Sequence, residues 1–192
     1  MSSPVDRIDA MVENYPDVWK TRSQVFTWIK GIIRAGWNKA PQKLILIKKL
    51  RKQIVNPNPR GKKETVWGAT CAICKKDFPL ASIQVDHKSD ETAHLTQLLD
   101  IQSCAEKLLL VLEEDLRLVC KDCHSVHSYS QKNKLTFAQA ALEKEVIKFK
   151  KLSIKEQQEY LTNVCLIDIM PSNAKARAEA FRNYLKEKHN GN

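Results

Sequence analysis

At 192 residues, with 43% hydrophobic and 28% charged side chains, the chain has the composition of one folded domain, or of a small core with helical extensions. No apolar run approaches the roughly 18 residues a membrane helix needs, and Met1–Asp6 lacks the basic-then-apolar pattern of a secretory signal, so a cytoplasmic protein with reduced cysteines is expected. The net charge of +10 is unevenly spread: 13 Lys or Arg and no carboxylate lie between Lys20 and Lys63, whereas Asp86 to Asp122 holds 9 acidic residues against 4 basic ones. A basic arm leading into an acidic segment suits a polyanion ligand and a cation site.

In chain order, Asp6–Glu13 predicts a short helix ended near Pro16. Val25–Ala35 predicts a second, with Val25, Trp28, Ile29, Ile32 and Ile33 on one face at spacings of three and four. Gly36 and Pro41 should interrupt it, and Gln42–Val55 should form a third helix. Lys30, Arg34, Lys48, Lys49, Arg51, Lys52, Arg60, Lys62 and Lys63 are the basic residues expected to meet the phosphates of a polyanion. Trp28 and Trp37 are expected to pack in the core rather than stack on bases.

Asn56–Gly61 is a loop by composition and a natural boundary. After it, Val66–Val85 predicts a hairpin region with Cys71–Cys74 in its turn, and Ser82–Val85 alternates as a strand does. Leu95–Leu112 is apolar enough for one or two helices, Leu116–Val119 reads as a short strand, and a helix should run from Cys123. Phe137–Leu152, Ser153–Cys165 and Asn173–Lys188 predict three more, the last capped by Ser172 or Asn173.

Cys71 with Cys74, and Cys120 with Cys123, are two pairs of identical spacing. Each tight turn can aim two thiolates at one ion, and two turns complete the four-sulfur tetrahedral shell that Zn²⁺ favours. Protein fills every ligand position, so such a zinc is structural. Cys104 and Cys165 lack a partner at this spacing and read as buried small apolar residues.

Between and after the cysteines stand Val85-Asp86-His87, Glu114-Asp115-Leu116 and Cys120-Lys121-Asp122-Cys123-His124. This order, from Val66 to about Lys134, resembles the HNH endonuclease family, whose members carry Cys-x-x-Cys, then Asp-His, then Asn-Leu, then Cys-x-x-Cys-His. The Phe26–Lys30 helix, Gly36-Trp37 and the Asn173–Arg177 tail more loosely resemble HNH proteins of tailed bacteriophages.

The resemblance implies an α+β, mostly helical fold with a small ββα-metal core on a four-cysteine zinc knuckle, flanked by N- and C-terminal helices. It implies a basic helical arm over 1–63, a nuclease core over 64–135 and a helical, DNA-binding tail over 136–192. The tail would present Lys175, Arg177 and Arg182 as its polar face, and simple packing on the core is the equal alternative. It further implies metal-dependent nicking or double-strand cleavage of double-stranded DNA, with RNA the less favoured substrate; a phage homing-type enzyme in the cytoplasm of an infected bacterium is one form this would take.

By that resemblance His87 is the general base, and Asp86 and His124 hold a catalytic Mg²⁺ or Mn²⁺. His127, one turn on, is a further metal ligand, a phosphate contact or a plain exposed histidine. His94 reads as incidental. The family's asparagine is replaced by Asp115, which accepts hydrogen bonds but when ionised cannot donate one. The competing expectation is therefore a zinc-stabilised DNA-binding protein whose nuclease centre has decayed.

Overall fold

The computed structural model describes residues 4–59, 63–89, 95–166 and 171–190. The chain divides into two compact units, Met1–Lys121 and Asp122–Asn192. It is α+β and mostly helical, with two small antiparallel sheets. Among the described residues no helix is long and apolar enough to cross a membrane.

The first unit opens with α1 (Pro4–Asn14) and α2 (Arg22–Asn38). Thr21 caps α2 by accepting the Gln24 backbone N–H. The helix runs through Gly36, where the sequence predicts a break. A lone glycine costs about 1 kcal/mol in a helix interior, less than the packing of this face returns. Ile33 is buried with Cys104 and packs among Ile101, Leu108 and Leu109 of α4 (Asp100–Leu109). The stop falls instead at Ala40, whose ψ of 122° is the extended backbone that Pro41 demands of its predecessor.

A second departure follows directly. α3 covers Pro41–Leu50, but Lys52–Val55, expected to continue it, forms β1. Arg51 turns extended, and β1 pairs antiparallel with β2 (Thr65–Thr70), Ile54 opposite Val66. Ile54-Val55 is β-branched, and strand pairing buries Ile54 in a way a helix extension would not. The Asn56 loop therefore joins two strands of one sheet, and Asn56 closes it by donating to Glu64 O at 2.8 Å. β3 (Asp77–Pro79) completes the sheet in the order β1-β2-β3. Gly68 is required there, since a Cβ would lie 2.4 Å from Ile54 Cδ1 and 2.6 Å from Phe78 O.

β4 (Ile83–His87) and β5 (Leu116–Cys120) form the second sheet. Leu46 of α3, Ala69 of β2, Val85 of β4, and Val111, Leu116 and Leu118 bury a common core, with Trp37 and Ile47 packed against it. This core fixes which face of β4 looks inward, and so where Asp86 and His87 point.

The second unit holds most of α5 (Lys121–Asn133), with α6 (Phe137–Lys150), α7 (Ile154–Asn163) and α8 (Ala174–Asn190). Capping boxes at Thr136/Gln139 and Ser153/Glu156 start α6 and α7, and Asn173 caps α8 through the Ala176 N–H. Val146, Phe149, Leu161, Ala178 and Phe181 form its core, with Phe149 and Phe181 stacked at 4.5 Å.

Of the two expectations for this tail, a polar face for DNA and packing on the core, Arg177 and Arg182 follow the second. Arg177 is 5% exposed and donates to Gln157 Oε1 at 3.0 Å, while Arg182 grips both oxygens of Glu143 at 2.8 and 3.1 Å. The Arg182 hydrogen bonds hold the Glu143 carboxyl below its ordinary value of 4.5. Its contribution is thus complete above that ordinary value and fades as pH falls through the lowered one. Glu143→Gln is expected to cost about 1 kcal/mol at pH 7 and to flatten the acid side of the melting-temperature profile. Equal melting temperatures for the two proteins at pH 7 would remove this pair from the account.

Candidate active site and metal centre

The β2–β3 turn carries the first cysteine pair. Cys71 N–H donates to Lys76 O at 2.9 Å, Lys75 N–H donates to Cys71 O at 3.0 Å, and Lys75 takes a positive φ of 62°. This tight turn brings both thiols to one side. Ala72 N–H reaches Leu118 O at 2.8 Å and ties the turn to β5, whose last residue is Cys120. Cys123 follows in the first turn of α5.

The four sulfurs of Cys71, Cys74, Cys120 and Cys123 all lie within 4.8 Å of one another, and no cysteine is in a disulfide. Zn²⁺ with four Zn–S bonds near 2.3 Å needs sulfurs about 3.8 Å apart, so the cluster fits the ion with little adjustment. The Cys120 N–H also donates to Cys71 Sγ at 3.3 Å. Burial opposes ionisation of Cys71, but backbone hydrogen bonds from Cys120, Cys74 and Ile73 outweigh it and bring the thiol down to about 7. Such a sulfur is largely prepared as the thiolate ligand that zinc requires. Cys104 is fully buried as expected, and Cys165 packs against the helical core, where burial raises its thiol.

Asp86 and His87 end β4, opposite Arg117 and Leu116. Alternation along the strand sends their side chains to opposite faces. Asp86 Oδ2 accepts from Arg117 Nε at 3.0 Å and Nη2 at 2.9 Å, a largely buried cross-strand ion pair. A cation ligated by Asp86 must therefore share this carboxylate with Arg117.

His87 lies against Trp37 of α2, with ring centroids 4.3 Å apart. Its Nε2 is enclosed without a hydrogen-bond partner among the described residues. Burial holds its pKa below the ordinary 6.5, helped by the charge of Lys43; the Leu108 backbone and the charges of Asp86 and Asp115 pull the other way. Lys43 Nζ sits 5.0 Å from the Trp37 ring centroid, so an ammonium, an indole and an imidazole occupy one neighbourhood. The neutral imidazole a general base must be is favoured here.

Asp115 precedes β5 in a single 3-10 turn over Glu113–Asp115. Its side chain is exposed and Oδ2 accepts the Leu112 N–H at 2.9 Å, while its backbone carbonyl accepts the Lys88 N–H at 2.7 Å. The second bond anchors the residue after His87. Neither asks the side chain to donate, so an aspartate supports this loop as an asparagine would. His124 and His127 stand three apart on α5, both half-buried.

Of the basic residues expected at DNA, Arg34 and Lys48 are exposed, Lys30 is half-buried in α2, and Lys63 is exposed before β2. Lys49 pairs with Glu113, Lys52 with Asp77 at 2.9 Å, and Arg51 lies 4.4 Å from the Trp67 ring. Arg60, Lys62 and His94 lie outside the described residues. Trp28 is 49% exposed and leans on Trp19 at 5.4 Å rather than filling the core.

Arg117, Leu108 and Trp67 are not singled out by the sequence, and Lys43 reads there only as a lysine in solvent or at phosphate. Arg117 is accessible in principle, because pairing the two predicted strands sets it across from Asp86. The others depend on helix packing that no spacing encodes. No protein-family model matches the chain, and comparisons with curated proteins and with solved structures give no match.

Proposed function

We propose that the protein is a metal-dependent DNA endonuclease of the HNH type, with a structural zinc on Cys71, Cys74, Cys120 and Cys123. One observation carries the reading. Asp86-His87 ends a strand that pairs with the strand running from Asp115 into Cys120, and the next helix carries Cys123, His124 and His127. Two antiparallel strands followed by a helix, anchored by a four-sulfur cluster, support a ββα-metal core.

In this reading His87 takes the proton from a water that attacks phosphorus, and the P–O bond to the 3′ oxygen breaks. Asp115 holds the loop after His87, and Trp37 backs the ring. The resemblance to the HNH family assigns the divalent cation to Asp86 and His124, with His127 as a further donor. One carboxylate with imidazole nitrogens is a donor set that suits Mn²⁺ as well as Mg²⁺. The cation supplies neutralisation of charge on the phosphoryl oxygens.

Supercoiled plasmid incubated with the protein and Mg²⁺ or Mn²⁺ tests the proposal. Open circles are expected with either metal and none without. A specific feature favours a second reading, a zinc-stabilised DNA-binding protein: the Arg117 grip on Asp86. Plasmid binding without nicking in any divalent metal would establish that reading in place of the first.

A further inference from the structure

The outward face of the β1–β2 pair carries a second group of residues suited to nucleic acid. Gln53 stands directly opposite Trp67, and Val55 opposite Thr65. Side chains two apart share a face, so Gln53, Val55, Thr65 and Trp67 lie together, while Ile54 and Gly68 on the reverse face are buried. Val55 is 81% exposed and Trp67 47% exposed. They are diagonal neighbours on one sheet face, an apolar surface left in water.

The face is also charged. The Arg51 guanidinium carbon lies 4.4 Å from the Trp67 ring centroid. Gln53, Lys63, Thr65 and Trp67 line a shallow depression of about 500 Å³ with Glu64 and Val66. Aromatic surface, a guanidinium on it, a lysine beside it and amide and hydroxyl groups within the same depression match the parts of a nucleotide. The ring accepts a base by stacking, Gln53 and Thr65 can meet a base edge, and Lys63 meets phosphate.

A protein strand added to β1 would use backbone hydrogen bonds and would ask for neither cation. A base paired inside a duplex cannot stack on the Trp67 ring without leaving the helix stack. We infer that the Arg51–Trp67 face of the β1–β2 hairpin binds an unpaired nucleotide of the DNA, so that the protein prefers DNA containing a single-stranded segment over continuous duplex. DNA as the ligand class rests on the proposed function; the preference for an unpaired segment does not follow from it.

The test uses the full-length, zinc-loaded protein without Mg²⁺ or Mn²⁺, and two fluorescent oligonucleotides: a continuous duplex, and the same duplex with a central unpaired bubble. Anisotropy is expected to show about tenfold tighter binding to the bubble. Trp67→Ala and Arg51→Ala should each lose that preference, and Trp67→Phe should keep most of it. Duplex affinity, expected to be unchanged in Trp67→Ala, reports that this variant is folded. Equal wild-type affinity for the two oligonucleotides overturns the inference, and so does an undiminished preference in Trp67→Ala. Plasmid nicking with Mg²⁺ is measured in parallel. A Trp67-dependent bubble preference without nicking removes the nuclease reading alone, and nicking without the preference removes this inference alone.

Discussion

Replacing His87 with alanine is expected to lower plasmid nicking by a factor on the order of 10²–10⁴, the usual worth of a positioned general base, while zinc content and DNA affinity stay as in the wild type. The expectation follows from where the ring is held. Trp37 lies 4.3 Å from it, Nε2 is enclosed, and the loop beyond it is pinned by the Lys88 N–H on Asp115 O at 2.7 Å. A side chain so confined is held in one orientation. Alanine leaves a gap beneath Trp37, so a folding defect has to be separated from a chemical one. His87→Gln fills most of the space without a base of suitable pKa and should be as inactive as alanine, with a melting temperature closer to the wild type. Nicking at wild-type rate in His87→Gln removes His87 from the base role whatever the alanine variant does.

The same neighbourhood shows how far spacing and alternation carry. Strands at Ile83–His87 and Leu116–Cys120, the hairpin with Cys71–Cys74 in its turn, and the helices after Thr136, Ser153 and Asn173 all follow from local signals: alternating side chains, paired cysteines, capping residues. The errors lie where tertiary packing overrides a local preference. Lys52–Val55 follows a helical run and joins it by pattern, but β2 offers Ile54 a buried place in a sheet. Gly36 breaks nothing, because α4 packs over that turn of α2.

At the candidate site, residue types are legible in the sequence and their environments are not. Asp86 reads from sequence as a ligand open to a cation, yet it meets Arg117 across the ladder. Asp115 raises a concern because an ionised carboxylate cannot donate, and the bonds it makes use it only as an acceptor. Lysines counted as phosphate contacts include Lys49 and Lys52, each paired within the fold, and the arginines of the last helix stabilise its own unit. Counting charges along a chain overstates those available to a ligand, because the partners come from distant segments.

Cys71→Ser is expected to remove the zinc and, with it, the ordered β2–β3 turn. Cys71 is fully buried, its sulfur accepts the Cys120 N–H, and its thiol is brought down to about 7. Serine keeps the size but offers a hydroxyl that stays protonated, leaving three thiolates and a poor fourth donor. Structural zinc contributes about 10–16 kcal/mol in zinc-finger peptides at neutral pH, so even a partial loss exceeds what a hydrophobic core this small supplies in reserve. The cluster ties the β2–β3 turn to Cys120 at the end of β5 and to Cys123 in the first turn of α5, so its loss removes that tie. One zinc per chain by elemental analysis is expected for the wild type and for Cys165→Ser, and well under one for Cys71→Ser, with a melting temperature many degrees lower. Full zinc content and unchanged melting in Cys71→Ser would sink the four-sulfur site. Under the proposed function both Cys71→Ser and His87→Gln should stop nicking, but only the first should do so by losing metal and fold, which separates the group that holds the centre from the group proposed to react in it.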